Sequence, residues 1–122
     1  MKQKDEELLL IDLCERLPYG VKCIAMYDGY TSYISSIEYQ HGVVTFDNGR
    51  QEEFCDIKPY LFPLLSMTLE QRKEYYTLIK CNITSKDNAK LMDWLNKNHL
   101  DYRGLIEKEL AIDATNLNIY RR

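Results

Sequence analysis

The segment Asp101-Tyr102-Arg103-Gly104 has the residue types best suited to binding a ligand. An arginine guanidinium binds carboxylates and phosphates through paired hydrogen bonds and also stacks on aromatic rings. An arginine beside a tyrosine could therefore contact an anion or a nucleotide. The structural alternative is that Asp101 caps the next turn and Arg103 pairs with a carboxylate of this chain. Asp101, Tyr102 and Arg103 are accordingly candidate ligand-binding residues with both interpretations open.

Tyrosine is the most unusual component of the composition, with ten Tyr against three Phe and one Trp. Its apolar ring and polar tip suit contact surfaces, although strands favour tyrosine in any case. Four tyrosines in or near predicted strands could present flat rings to a peptide or a base, as SH3-type and OB-type modules do: Tyr19, Tyr30, Tyr33 and Tyr60. The alternative for Tyr60 is that it anchors a crossing segment to the core.

No catalytic motif is present in the sequence. The chain has no phosphate-binding loop, no nucleophile elbow and no His-Glu-x-x-His. We predict a solvated turn position for His41, and a helix-capping or exposed position for His99. Pairing of Cys55 with either histidine is conceivable on paper but has no supporting motif. We therefore predict no catalytic residues, no cofactor and no enzymatic activity.

Metal binding has equally little support. Five acidic residues crowd the strand region: Glu38, Asp47, Glu52, Glu53 and Asp56. They could bind a hard cation through oxygen atoms, but their spacing fits no known loop. The four cysteines form no Cys-x-x-Cys pair: Cys14, Cys23, Cys55 and Cys81. Zinc sites usually contain such close pairs, so we predict free thiols and no metal.

Size and charge define the broad class. A chain of 122 residues forms one domain, 1–122, which can bury a core without disulfides or metal ions. The net charge of −3 argues against a nucleic-acid or anionic-membrane partner, both of which favour a basic surface. No apolar stretch approaches the roughly 20 residues of a membrane span, and no secretory signal is present. We predict a cytoplasmic protein with reduced cysteines.

The elements that must position the candidate residues fall into four segments: a helix over 5–17, a β-rich part over 20–67, a helical part over 68–115 and a polar tail over 116–122. Turn dipeptides such as Asp28-Gly29 and Asn48-Gly49 separate four strands, at 21–27, 30–39, 43–46 and 51–57. Pro59 limits ladder pairing, so the segment that follows is expected at an edge or in an irregular crossing.

The predicted class is α+β: a small SH3-like β-barrel, or a curled antiparallel sheet, with an N-terminal helix and two to three C-terminal helices. Thr68 and Gln71 form a capping box for a helix that ends near Lys80, with Leu69, Arg72, Tyr76 and Ile79 near one face. Thr84 or Ser85 would cap the next helix, over 86–98. A last apolar segment, 105–112, is a short helix or a strand.

Three sequence segments resemble one protein family. They are 17–23 (LPYGVKC), 58–61 (KPYL) with 66–68 (SMT), and 93–97 (DWLNK) with 101–106 (DYRGLI). Together they are similar to small uncharacterised proteins of gut anaerobic bacteria and their phages or mobile elements. The resemblance covers most of the chain. It implies an intracellular accessory role and assigns no functional residues.

These observations predict a non-enzymatic interaction module that binds a protein partner, with self-association as a further expectation. The alternative is a nucleotide or small-molecule binding protein, such as a sequestering protein of a phage or mobile element. That alternative rests on Arg103 beside Tyr102 and on the available stacking rings.

Overall fold

The computed structural model describes residues 3–81 and 88–120. Within them, three α-helices are α1 (Gln3–Arg16), α2 (Leu69–Cys81) and α3 (Asn88–Lys97). Seven strands are β1 (Lys22–Ala25), β2 (Thr31–Glu38), β3 (Val43–Phe46), β4 (Gln51–Glu53), β5 (Ile57–Pro63), β6 (Leu100–Asp101) and β7 (Ile112–Asp113). Three short 3-10 turns cover Leu17–Tyr19, Phe54–Asp56 and Leu64–Ser66. None of the described helices is long and apolar enough to cross a membrane.

The strands form one curled sheet that does not close. Its order is β4-β3-β2-β1-β5-β6, and β7 also pairs with β5. In this sheet order, every neighbouring pair from β4 to β5 is antiparallel, whereas β6 and β7 lie parallel to β5. The predicted α+β class and the curled sheet are confirmed. The sheet is mixed rather than purely antiparallel, and the barrel alternative is not observed in the described residues.

Strand β5 is central, which corrects the expectation of an edge or irregular crossing. Antiparallel pairs alternate between hydrogen-bonded and non-hydrogen-bonded positions. The Met26 amide donates to the Asp56 carbonyl at 2.9 Å, and the same register places Cys23 opposite Pro59, three residues further along. Pro59 therefore occupies a non-hydrogen-bonded position, with its ring nitrogen directed away from β1. On that other side, pairing with β7 begins only at Tyr60, so no ladder donor is lost.

Two apolar clusters hold the fold together. The larger packs α1 against the sheet through Leu9, Leu13 and Val44, each with no exposed surface. Leu9 and Leu13 are four residues apart, which places them on one face of the helix. The smaller cluster joins β5 and α3 to the C-terminal segment through Phe62 and Leu95. The two clusters thereby anchor α1 and the C-terminal segment to the sheet.

The C-terminal third differs from the predicted helical part and tail. After α3 the described chain contains no further helix and returns to the sheet as β6 and β7. The expected polar tail contains a buried anchor, Tyr120, whose hydroxyl accepts from the Lys22 amide at 2.7 Å and donates to the Tyr60 carbonyl at 3.0 Å. The predicted caps Thr84 and Ser85 lie outside the described residues.

Helix α2 begins at the predicted capping box. The Thr68 hydroxyl accepts from the Gln71 amide at 3.1 Å, and the Gln71 side-chain oxygen accepts from the Thr68 amide at 2.9 Å. The orientation of the helix depends on a contact with a distant residue and could not be predicted from local sequence. Tyr75 faces inward, with its ring stacked on Trp94 at 6.0 Å, so the stripe that starts at Leu69 faces outward.

Two turn glycines provide a test of local packing. Gly42 and Gly49 both have positive φ, at 64° and 89°. A Cβ on Gly42 would lie 2.7 Å from Phe54 Cδ1, whereas a Cβ on Gly49 would meet nothing. We expect Gly49→Ala to lower the free energy of unfolding by about 1–2 kcal/mol through backbone strain. Gly42→Ala should cost about 1–3 kcal/mol more through overpacking. Urea denaturation measures both, and equal losses would contradict the close contact with Phe54.

Candidate functional site

The structure places the seven candidate residues in different surroundings. Tyr19 and Tyr33 come together at one cleft, whereas 101–103 join an ion-pair cluster beside α1. Tyr30 packs edge-on against Phe46 in the larger core cluster, with ring centroids 5.2 Å apart. Tyr60 is buried in the smaller cluster. The four tyrosines therefore do not form one continuous face.

In the ion-pair cluster, the hydrogen bonds of 101–103 are made within the protein. The Asp101 carboxylate accepts the backbone N–H groups of Leu105 and Ile106, both at 2.9 Å. Arg103 donates to Asp12 Oδ1 and to Glu15 Oε2, both at 2.7 Å. These are the contacts of the structural alternative, in which Asp101 caps a turn and Arg103 pairs with carboxylates.

Asp12 and Arg16 complete this cluster and were missed by the sequence analysis. Both are fully buried, and the Arg16 guanidinium donates to Asp12 Oδ2 at 2.7 Å and to the Leu100 carbonyl at 2.6 Å. The guanidinium carbons of Arg16 and Arg103 lie 5.0 and 4.6 Å from the Tyr102 ring centroid, within cation–π range. The signal that could have found the pair is its i, i+4 spacing on the apolar side of α1.

The second group of candidates borders an open cleft of about 690 Å³, here called the tyrosine cleft. Its walls come from the turn after α1, from β1 and β2, from the end of α3 and from the C-terminal segment. The lining residues are Tyr19, Gly20, Lys22, Tyr33, His99, Asn118, Ile119 and Tyr120. Elements far apart in the sequence thus converge on one concave surface.

One wall of the tyrosine cleft is a cross-strand pair. Lys22 on β1 lies directly opposite Tyr33 on β2, and its ammonium is 4.8 Å from the Tyr33 ring centroid. The same ammonium donates to the Ile119 carbonyl at 3.2 Å. A Cβ on Gly20 would make ordinary van der Waals contact with the ring, at 3.6 Å from Tyr33 Cε1. The Tyr33 ring is thereby held in place while 39% of the residue remains exposed.

The floor of the tyrosine cleft is a ring stack. His99 lies two residues after α3 with a positive φ of 57°, and its ring stacks on Tyr120 with centroids 3.7 Å apart and planes 10° apart. Burial raises the pKa of the Tyr120 hydroxyl, which keeps it protonated and able to donate. On the rim, the Tyr19 hydroxyl donates to the Asp93 carboxylate of α3. Helix α3 therefore supports both sides of the cleft.

The concave surface continues beyond the tyrosine cleft. A neighbouring cleft of about 350 Å³ shares His99 and Tyr120 with it and extends to Gln71 at the start of α2. Another, of about 540 Å³, shares Asn118 and Tyr120 and extends to Thr115. A ligand on this surface could therefore extend past the two tyrosines in either direction.

The described cysteines do not have the character of nucleophiles. Burial raises the pKa of Cys14, Cys23 and Cys55, and nearby carboxylates raise each further. A nucleophilic cysteine is instead activated by a lowered pKa. The donor atoms of Cys55, Glu53 and Asp56 lie within 4.8 Å of one another, but an exposed acidic group of this kind does not by itself define a metal site.

Comparisons of the chain with protein-family models, curated proteins and solved structures find no match.

The buried ion pair gives a first prediction at this site. Asp12→Ala would leave Arg16 buried without its anion, which typically costs about 3–5 kcal/mol of unfolding free energy. The control is Asp5→Ala, which removes a surface contact of 4.0 Å to Lys108 and should cost at most about 1 kcal/mol. Urea denaturation at neutral pH compares the two. Similar losses would show that the Asp12 cluster contributes no more than a surface pair.

A pH dependence follows from Glu15. The hydrogen bond from Arg103 lowers the pKa of the Glu15 carboxyl, so its stabilising effect is present above the unfolded pKa of about 4.3. The stabilisation by the Arg103–Glu15 interaction is lost as the pH falls through the lower pKa that Glu15 has in the folded state. We expect Glu15→Gln to be less stable than wild type at pH 6 and to approach it at pH 3. Glu7→Gln, a change at an exposed position of the same helix, is the control, and a Glu15→Gln deficit independent of pH would contradict the prediction.

Proposed function

We propose that this protein is a non-enzymatic, cytoplasmic binding domain whose ligand is an extended segment of another protein. The observation that supports the proposal is the convergence of Tyr19, Lys22 and Tyr33 on the tyrosine cleft. Two of these are tyrosines that the sequence singled out, and they reach the cleft from different elements.

The chemistry of the tyrosine cleft favours a peptide with two features. Tyrosine rings offer flat apolar surface with a polar tip, which suits proline or other apolar side chains of an extended peptide. The Lys22 ammonium offers a positive charge to a carboxylate of the same peptide. Because the concave surface continues past Tyr120 on two sides, it fits an extended chain better than a compact ligand.

The nucleotide alternative has weaker support. It rests on Arg103 beside Tyr102, and the guanidinium of Arg103 already binds two carboxylates, Asp12 and Glu15. A phosphate at this position would have to displace those carboxylates and would meet their negative charge. The protein-binding proposal needs no such rearrangement, because Tyr33 is exposed as it stands.

Peptide selection tests the proposal directly. A phage-displayed library of random 12-residue peptides is selected on immobilised protein, and affinities of the enriched peptides are measured by fluorescence polarisation. We expect Tyr33→Ala to weaken binding about tenfold or more, equivalent to about 1.4 kcal/mol. The matched control is Tyr39→Ala, which removes an exposed tyrosine just after β2 that does not line the cleft.

Two results would overturn the proposal. One is that no peptide is enriched, and the other is that enriched peptides bind wild type and Tyr33→Ala equally. A thermal-shift series with ATP, GTP and their monophosphates runs in parallel, since a ligand at a hundred times its Kd adds about 2.7 kcal/mol of stability. A nucleotide-dependent shift without any peptide binding would favour the alternative instead.

A further inference from the structure

Helix α2 presents to solvent a seam of three apolar residues and one arginine. Leu69, Arg72, Tyr76 and Ile79 follow the 3-4-3 spacing of the a and d positions of a coiled coil. Leu69 is 71% exposed and Tyr76 is 64% exposed, because the core side of the helix is formed by other residues, such as Tyr75. The spacing is that of a surface made for a second helix, and the fold itself leaves this surface uncovered in the described residues.

A groove runs beside the seam. Leu65, in the turn before α2, is 88% exposed, and its carbonyl accepts a hydrogen bond from Arg72 at 3.3 Å. Leu64, Met67 and Tyr75 complete a pocket of about 230 Å³ between this turn and the helix. A pocket of this size next to an a/d seam can receive a single apolar side chain from a packed helix.

The exposure of these side chains is not explained by folding. Leu65 and Leu69 gain little from packing at such exposure, and contiguous exposed apolar surface marks interaction sites in soluble proteins. Helix-in-groove binding is a recurring mode in which an amphipathic helix places its apolar face against such a surface. The seam and the groove beside it therefore point to a helical partner.

The charges around the seam indicate the chemistry of that partner. Lys73 and Lys80 are exposed and lie along one flank of the seam, at positions equivalent to e of the heptad. Glu70 and Glu74 lie on the far side of the helix from the seam, as their spacing requires. In an antiparallel pair of two α2 helices, e positions face each other, so the lysines of both copies would meet. Like charges destabilise such contacts, which disfavours an antiparallel second copy and favours an acidic partner.

We propose that α2 docks an acidic amphipathic helix of a partner protein. Its apolar stripe would pack on Leu69, Tyr76 and Ile79, and its carboxylates would face Lys73 and Lys80. This surface is separate from the tyrosine cleft and the inference does not depend on the function proposed for that cleft.

Two synthetic 15-residue peptides test the inference. Both have leucine at the a and d positions and alanine elsewhere, except that one has glutamate and the other lysine at the flanking positions. Titration into ¹⁵N-labelled protein, followed by two-dimensional NMR, should shift the amides of α2 and Leu65 at lower concentrations of the glutamate peptide than of the lysine peptide. The expected preference is about tenfold, since each exposed ion pair contributes modestly.

A charge reversal makes the test specific. Lys73→Glu combined with Lys80→Glu should reverse the preference toward the lysine peptide. Lys4→Glu combined with Lys97→Glu, at two exposed lysines on other helices, makes the same change in net charge and should preserve the glutamate preference. Leu69→Asp should remove the response to the glutamate peptide while leaving the circular dichroism spectrum unchanged, because Leu69 is exposed.

Three outcomes would overturn the inference. They are no shift with either peptide, equal shifts with both, and reversal of the preference by the Lys4 and Lys97 changes. Light scattering of the protein alone tests whether a second copy of this chain covers the seam instead. A dimer that Leu69→Asp dissociates would show that a second copy, rather than an acidic partner, covers the seam.

Discussion

The buried carboxylate of Asp12 is the constraint on which much of this structure depends. A charge removed from water is costly unless oppositely charged donors surround it, and here Arg16 and Arg103 both donate to Asp12. Because one donor is on α1 and the other follows β6, satisfying Asp12 fixes the helix against the C-terminal part of the chain. Arg16 extends the same constraint to the Leu100 carbonyl, one residue after His99. The position of the tyrosine cleft floor is thus linked to an ion pair beside α1.

Tyr120 is the second place where distant parts of the chain meet. Its hydroxyl joins Lys22 on β1 to Tyr60 on β5, and its ring stacks on His99, two residues after α3. Loss of this ring would therefore affect core packing and cleft shape together. The surface available to a ligand is built on residues that also hold the sheet to its C-terminal segment.

Local features could be predicted from the sequence, and features that depend on distant partners could not. Strand 43–46 and the Thr68–Gln71 capping box are observed as predicted, because their signals lie within a few residues. The edge position predicted from Pro59 is wrong, since the effect of a proline depends on which neighbouring strand its nitrogen faces. The sequence allows two interpretations of Arg103 because its partner Asp12 is 91 residues away. Only the fold shows that they meet.

The outward-facing seam of α2 is another feature that the sequence alone could not predict. Periodicity identifies an apolar stripe on a helix but does not say which side faces the core. Here the stack of Tyr75 on Trp94 decides the orientation, and Leu69 and Tyr76 are left in solvent. A helix with apolar residues on both sides has more apolar surface than its own fold uses. Places where local pattern and tertiary packing disagree in this way are expected to be functional or strained. The outward face of α2 is such a place.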